Sequence, residues 1–234
     1  MQRLRIKFRR GEEVKFISHL DLMRLWHRAF LRAEIPLAYS EGFNPHPRIS
    51  LAAPLAIGIT SEAELMDIFT AKSVSPHWFT AALGQQLPPG IEILQVYSVP
   101  LDEPSLQSQV SFAEYMVEIE TGEKREKIEA KISELLALDH LPWHHQRDTG
   151  EKKYDLRALI DSLWLLEYHN DYCTIGMRLR CDSSGSGRPE QVASALGFTN
   201  HPRAIHRTRL IFKRAETTRP EHVPTKSHGR TSLG

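Results

Sequence analysis

The chain has 234 residues, 30 Lys+Arg against 29 Asp+Glu, a formal net charge of +1 and 41% hydrophobic residues. That length holds one large or two small domains, each with its own core, and the composition is that of a folded chain, not a disordered one. No apolar run reaches the ~20 residues of a membrane helix, no apolar segment follows the basic start MQRLRIKFRR as a signal peptide would require, and two cysteines build neither a disulfide framework nor an iron–sulfur ligand set.

The expectation is therefore a cytoplasmic protein with no membrane contact. In chain order, Leu4–Phe8 alternates as LRIKF and predicts a strand. Val14–Ile17 reads as a short extended approach. Ser18 is a good N-cap, with Asp21 three residues on, for a helix running to about Ala33. Leu22, Leu25, Trp26, Ala29, Phe30 and Ala33 give it one apolar face, and Arg24, Arg28 and Arg32 recur every four residues on the other, with His27 beside them. Pro36 ends the helical region and Leu37–Ser40 reads as a short strand. Ser40–Arg48 carries glycine, asparagine and two prolines and predicts an ordered loop. Ile49–Ala53 and Ala63–Ala71 read as strands, Pro76–Leu87 as a helix stopped by Pro88-Pro89-Gly90, and Ile91–Val99 as a strand.

Pro100–Ser108 reads as a linker, after which the cycle repeats. Phe112–Glu120 is a strand, Glu123–Leu138 a charged helix, Trp143–Arg147 a short strand, and Tyr154–Ile160 fits helix or strand equally. Leu163–Tyr168 and Cys173–Cys181 form a hairpin across His169-Asn170-Asp171, Arg188–Leu196 is a helix with Pro189 in its first turn, and Ile205–Phe212 is a basic strand. The expected fold is α+β: two ferredoxin-like (βαββαβ) halves with antiparallel sheets. The expected domains are 1–100 and 109–213, with a basic tail of disordered composition over 214–234.

The segment Phe16-Ile-Ser-His-Leu-Asp-Leu-Met-Arg24 is distinctive. Together with Pro36–Ser40, Glu41–Pro47, Leu55–Gly58, Tyr154–Ile160, Arg188-Pro189 and His206–Arg209, it resembles a radical-SAM-associated family of domains of unknown function. Members of that family stand alone or form the C-terminal part of larger radical SAM proteins. The resemblance implies a bacterial cytoplasmic protein whose partner is a radical SAM protein, and it supplies no catalytic residue. The three closely spaced cysteines of a radical SAM cluster are absent, so no cofactor is expected here and the chemistry would belong to the partner.

The +1 hides opposed blocks. Residues 1–48 carry a net +5, 49–200 a net −10 and 201–234 a net +6, a layout suited to a polyanion such as RNA if the two ends meet. Candidate RNA- or partner-binding residues are Arg24, His27, Arg28 and Arg32 on the helix; Phe43, Asn44, His46 and Arg48 on or beside the loop, where Phe43 can stack on a base; and Arg207 and Arg209 on the last strand. Arg3, Arg5, Lys7 and Arg9 alternate on the first strand and would extend the surface. No catalytic residue is assigned; His19 and His46 are the candidates for a general base in an alternative reading as a metal-independent endoribonuclease. A third reading is a protein-only scaffold. Metal binding is not expected: His19 and Asp21 point ~200° apart on a helix, and His144 and His145 face opposite ways on a strand. Asp155 and Arg157 would share a strand face, for an ion pair or a substrate contact.

Overall fold

The computed structural model describes residues 1–147 and 150–213. The elements are β1 (Gln2–Arg10), α1 (His19–Arg32), β2 (Ile49–Leu51), β3 (Thr60–Thr70), α2 (Pro76–Gly84), β4 (Ile91–Val99), α3 (Leu106–Gln109), β5 (Val110–Glu120), α4 (Arg125–Leu136), β6 (Pro142–Arg147), β7 (Gly150–Asp155), β8 (Ile160–Tyr168), β9 (Tyr172–Asp182), β10 (Gly185–Ser186), α5 (Pro189–Ala195) and β11 (Ala204–Phe212). The expected tail, 214–234, lies outside the described residues, as does the side chain of His145.

Both halves have the expected ferredoxin-like order. In the first, β4, β1, β3 and β2 lie side by side, all antiparallel. In the second, β11, β5, β9 and β8 do the same. A β6–β7 hairpin is inserted between α4 and β8, which resolves the ambiguous Tyr154–Ile160 as the end of a strand followed by a 3-10 turn over Arg157–Leu159.

The halves share one sheet. The first end of β3 pairs in parallel with β11, through His206↔Thr60 and Arg207↔Ser61. The rest of that edge carries β2, through Ile49↔Ile68 and Leu51↔Met66.

Strand alternation sets the two sheet faces. On β1, Leu4, Ile6 and Phe8 are fully buried under α1 and α2. There Trp26 stands edge-on to Phe8 at 4.9 Å and stacks on Phe30 at 5.6 Å, with Phe79 6.1 Å beyond. The second core lies under α4 and α5 and also takes Ala52, Ala53, Leu55 and Ile59 from the first half. That segment crosses the seam and ties the two cores together.

Local signals hold where they are short-ranged. Ser18 caps α1: its Oγ accepts from Asp21 N at 3.1 Å and donates to Asp21 Oδ2 at 2.7 Å. A short extended approach at Val14–Ile17 and a short strand at Leu37–Ser40 were expected and do not form as such. Val14 lies in a 3-10 turn, Glu12–Val14. Leu37–Ser40 makes only isolated bridges, Leu37↔Thr70 and Tyr39↔Pro47, because Pro36 and Pro47 have no N–H to continue a ladder. Among the described residues no helix is long and apolar enough to cross a membrane.

Candidate nucleic-acid interface

Helix α1 lies on the sheet with its apolar stripe inward, which leaves Arg24, Arg28 and Arg32 exposed along one line. Arg28 and Arg32 line a cleft of about 530 Å³ whose other wall is the turn Gln85–Pro88, with Ile17, Asp21 and Leu25 completing it. Arg32 spans the cleft: its Nη2 donates to Gln86 O at 2.7 Å and its Nε to Gln86 Oε1 at 3.2 Å. Arg24 Nη1 donates to Asp21 Oδ1 at 3.2 Å. The Asp21 carboxyl is held below its ordinary range, first by the Ser18 hydroxyl and then by Arg24. Arg28 makes no hydrogen bond among the described residues, so its five donors face the cleft unused. His27 departs from expectation: its Nε2 is buried with no partner among the described residues, so its tip is turned away from the arginine line.

The loop 40–48 stands beyond the C-terminal end of α1. Its base is tied by Ser40 N to His46 O at 2.8 Å, His46 N to Ser40 Oγ at 3.0 Å and Arg48 N to Ala38 O at 2.9 Å. Gly42 has φ of 119°, a backbone region that favours glycine. The tip holds Phe43 wholly in solvent, at 107% exposure, with Asn44 and His46 also exposed. Arg48 is occupied: its guanidinium lies 4.1 Å from the centroid of the Phe69 ring.

The strand arginines do not join this surface. Arg207 was expected on a basic face, but it is fully buried at the seam and paired with Glu64. Arg209 lies on the opposite sheet face, bonded to Glu114 Oε2 at 2.9 Å, with Arg178 on the same carboxylate at 2.8 Å. Arg3 and Arg5 are also buried. Asp67 accepts from Arg3 Nη2 at 2.6 Å and Arg5 Nε at 2.8 Å, and the linker lies over them, with Arg3 Nη2 donating to Pro104 O at 2.9 Å. Arg9 pairs with Glu92 at 2.9 Å. Each of these cations meets an acid from a distant strand, which adjacency in sequence does not reveal.

His19 and His46 form no common centre. His19 opens α1 near the last residues of β1, where Arg10 donates to Ile17 O. His46 lies near the other end of β1, where Arg48 reaches the Met1 sulfur, and the 14-residue helix between them is about 21 Å long. Among the described residues no group of three His, Cys, Asp or Glu is placed to hold a metal. Cys173 and Cys181 lie on one strand, eight residues and so about 27 Å apart; no single metal or disulfide can join them. Asp155 does not pair with the Arg157 side chain. It caps a turn, accepting from Leu141 N at 2.8 Å, Arg157 N at 3.0 Å and His140 Nδ1 at 2.8 Å.

The sequence reading missed Gln85 and Gln86, the second wall of the arginine cleft. It also missed Glu64 and Tyr115, which surround Arg207. Glu64 alternates with Glu62 in the run Glu62-Ala-Glu-Leu65, as a solvent-facing acid would, so no local signal marked its burial.

Comparison with curated proteins finds no matching sequence. Among solved structures, the archaeal box H/ACA sRNP Nop10–Cbf5 complex aligns with 92% of this chain and 50% of that one, at a TM-score of 0.46 and 12% identity. A Cbf5–Nop10–Gar1 complex aligns with 81% of this chain and 45% of that one, at 0.45 and 9%. An unknown protein from Galdieria sulphuraria aligns with 84% and 90%, at 0.25 and 12%. This chain spans about half the length of the first two. The family described as "uncharacterized protein conserved in bacteria" (DUF2344) matches residues 3–189, most of the sequence, and the chain belongs to that family.

Proposed function

We propose that this protein binds RNA, of the tRNA or rRNA kind, and presents it to a radical SAM enzyme. The observation that carries the reading is the arginine line of α1: three exposed guanidiniums one turn apart, two of them opening on a 530 Å³ cleft. Such spacing suits successive phosphates of a nucleic-acid backbone. Beyond the end of that line, the exposed Phe43 ring offers a stacking surface to an unpaired base, and Asn44 and His46 offer edge hydrogen bonds. The partnership rests on the resemblance of Phe16–Arg24 and its companion segments to radical-SAM-associated chains. The cluster chemistry falls to the partner, since the two thiols here lie too far apart to share an ion.

The test is a mobility-shift salt series with host tRNA and rRNA fragments. Replacing Arg24, Arg28 and Arg32 together by Ala removes three phosphate contacts and lowers the slope of log K against log salt by about 2 on single-stranded segments. Unchanged binding in that variant would overturn the surface. A stable complex with a radical SAM protein and no salt-dependent RNA binding would favour the scaffold reading instead.

A further inference from the structure

The cleft between α1 and the turn Gln85–Pro88 has two unlike ends. Asp21, Leu25, Arg28 and Arg32 follow one another at spacings of four, three and four residues, so they share one helix face. They form the floor in that order: a carboxylate, an apolar side chain, then two guanidiniums. The facing wall is graded in the same sense. Gln86 stands at the Arg32 end, where it accepts both Arg32 bonds. Leu87 and Pro88 run on toward Gly90, whose carbonyl accepts from Gly11 N at 2.7 Å, and with the half-buried Ile17 they make the Asp21 end apolar.

The cationic end has charge to spare. Arg32 spends Nε and Nη2 on the neutral oxygens of Gln86, and Arg28 makes no hydrogen bond or ion pair among the described residues. The one carboxylate in the lining, Asp21, is already bonded to the Ser18 hydroxyl at 2.7 Å and to Arg24 at 3.2 Å. Among the groups that hold its carboxyl low, Ser18 and Arg24 come first and Arg28 last. Arg28 and Asp21 stand seven residues apart, about 10 Å along the helix axis. The Gln85 carboxamide, exposed on the facing wall, also makes no hydrogen bond among the described residues. It therefore offers two donors and an acceptor.

We propose that this cleft holds one unpaired nucleotide, with its phosphate on Arg28 and its base at the Asp21 end. Arg28 gives the phosphate two parallel N–H groups, and Arg32 adds positive charge beside it. Leu25, Ile17 and Leu87 cover the face of the base. Asp21 repels the phosphate from its own end and, with lone pairs beyond its present bonds, accepts from an N–H on the base edge; the Gln85 amide meets the rest of that edge. The volume of about 530 Å³ falls in the range of small-molecule sites, roughly 300–1,000 Å³. A base stacked and paired in a duplex cannot enter, so the cleft selects unpaired strand. The inference deepens the RNA reading and rests on it for the source of the nucleotide; a free mononucleotide presents the same chemistry.

The test is titration calorimetry of the full chain with each of the four ribonucleoside 5′-monophosphates, their nucleosides and ribose 5-phosphate. The expected result is 1:1 binding of at least one monophosphate with a Kd of about 1 mM or tighter, at least tenfold tighter than its nucleoside or ribose 5-phosphate. Arg28→Gln, at an exposed side chain with no partner to strand, should keep the unliganded Tm and weaken the monophosphate about tenfold. Gln85→Glu, a shape-preserving change at an exposed position with helical backbone, should weaken it as well by repelling the phosphate. The proposal is overturned if no monophosphate binds, if ribose 5-phosphate or the nucleoside binds equally well, or if both variants bind as tightly as the parent chain. The mobility-shift series separates this outcome from the RNA reading. Salt-dependent RNA binding without a monophosphate site leaves the arginine line standing and removes the nucleotide cleft. A monophosphate site without RNA binding removes the RNA reading and makes the source a free nucleotide.

Discussion

The indole of Trp164 lies directly over the bare backbone of Gly176, its partner across the β8–β9 pair, and a Cβ at 176 would overlap the ring. The sheet face away from the helices is closed there by one aromatic side chain on one glycine. Gly176→Ala should force the indole aside and cost about 1–3 kcal/mol, a Tm loss of roughly 2–10 °C for a chain of this size. Gly122→Ala, where an added Cβ meets nothing, should leave Tm within about 1 °C. Thermal unfolding of the two variants checks the contrast.

Asp67 is the only acid bonded to both Arg3 and Arg5 among the described residues. Asp67→Ala should cost about 3–5 kcal/mol by stranding two buried guanidiniums. Glu92→Ala, which breaks the exposed pair with Arg9, should cost under about 1 kcal/mol. Denaturant titration distinguishes them, and similar midpoints would refute the difference drawn between the buried and the exposed arginines of β1.

Burial holds the His206 imidazole below its ordinary 6.5; Glu62 works against that shift, Arg9 adds to it, and Glu12 opposes it. Its Nδ1 also meets Thr60 Oγ1 at 2.8 Å. As pH falls through 6.5 toward the lower folded value, the unfolded chain takes up a proton that the folded chain does not. Stability should therefore drop over that window and be fully present above it. His206→Asn should flatten this part of the Tm profile between about pH 7.5 and 5.5. An unchanged profile would mean that another group sets it.

Phe43→Ala should leave folding unaltered, since the ring touches solvent on all sides. It should weaken binding of single-stranded RNA by about 1–3 kcal/mol while leaving the salt slope intact. Loss of slope in this variant would contradict the division between a stacking tip and an electrostatic helix.

Much of this architecture is legible in the sequence because its signals are local. The Ser18 cap, the apolar stripe from Leu22 to Ala33 and the alternation of β1 each need only neighbouring residues. Illegible were the pairings across long separations. Alternation places Arg3, Arg5 and Arg207 on particular faces, but whether those faces meet water depends on Asp67, the 100–108 linker and Glu64, which approach from distant parts of the chain. A basic strand and a buried ion-pair strand look the same along the chain. The β6–β7 hairpin was obscured for a related reason: the partner of Trp143 is Tyr154, in a stretch whose own pattern fits two conformations.

The parallel contact of β11 with β3 sets an order of events during biosynthesis. The ribosome releases Glu64 143 residues before Arg207. A nascent chain that ends short of β11 has made the first sheet but leaves part of the β3 edge open and the Glu64 carboxylate without the guanidinium that bonds it, the kind of strand edge that chaperones shield. Emergence of the final strand supplies hydrogen bonds and charge together. A premature stop before Arg207 would thus strip the first half of its partner as well as shortening the second.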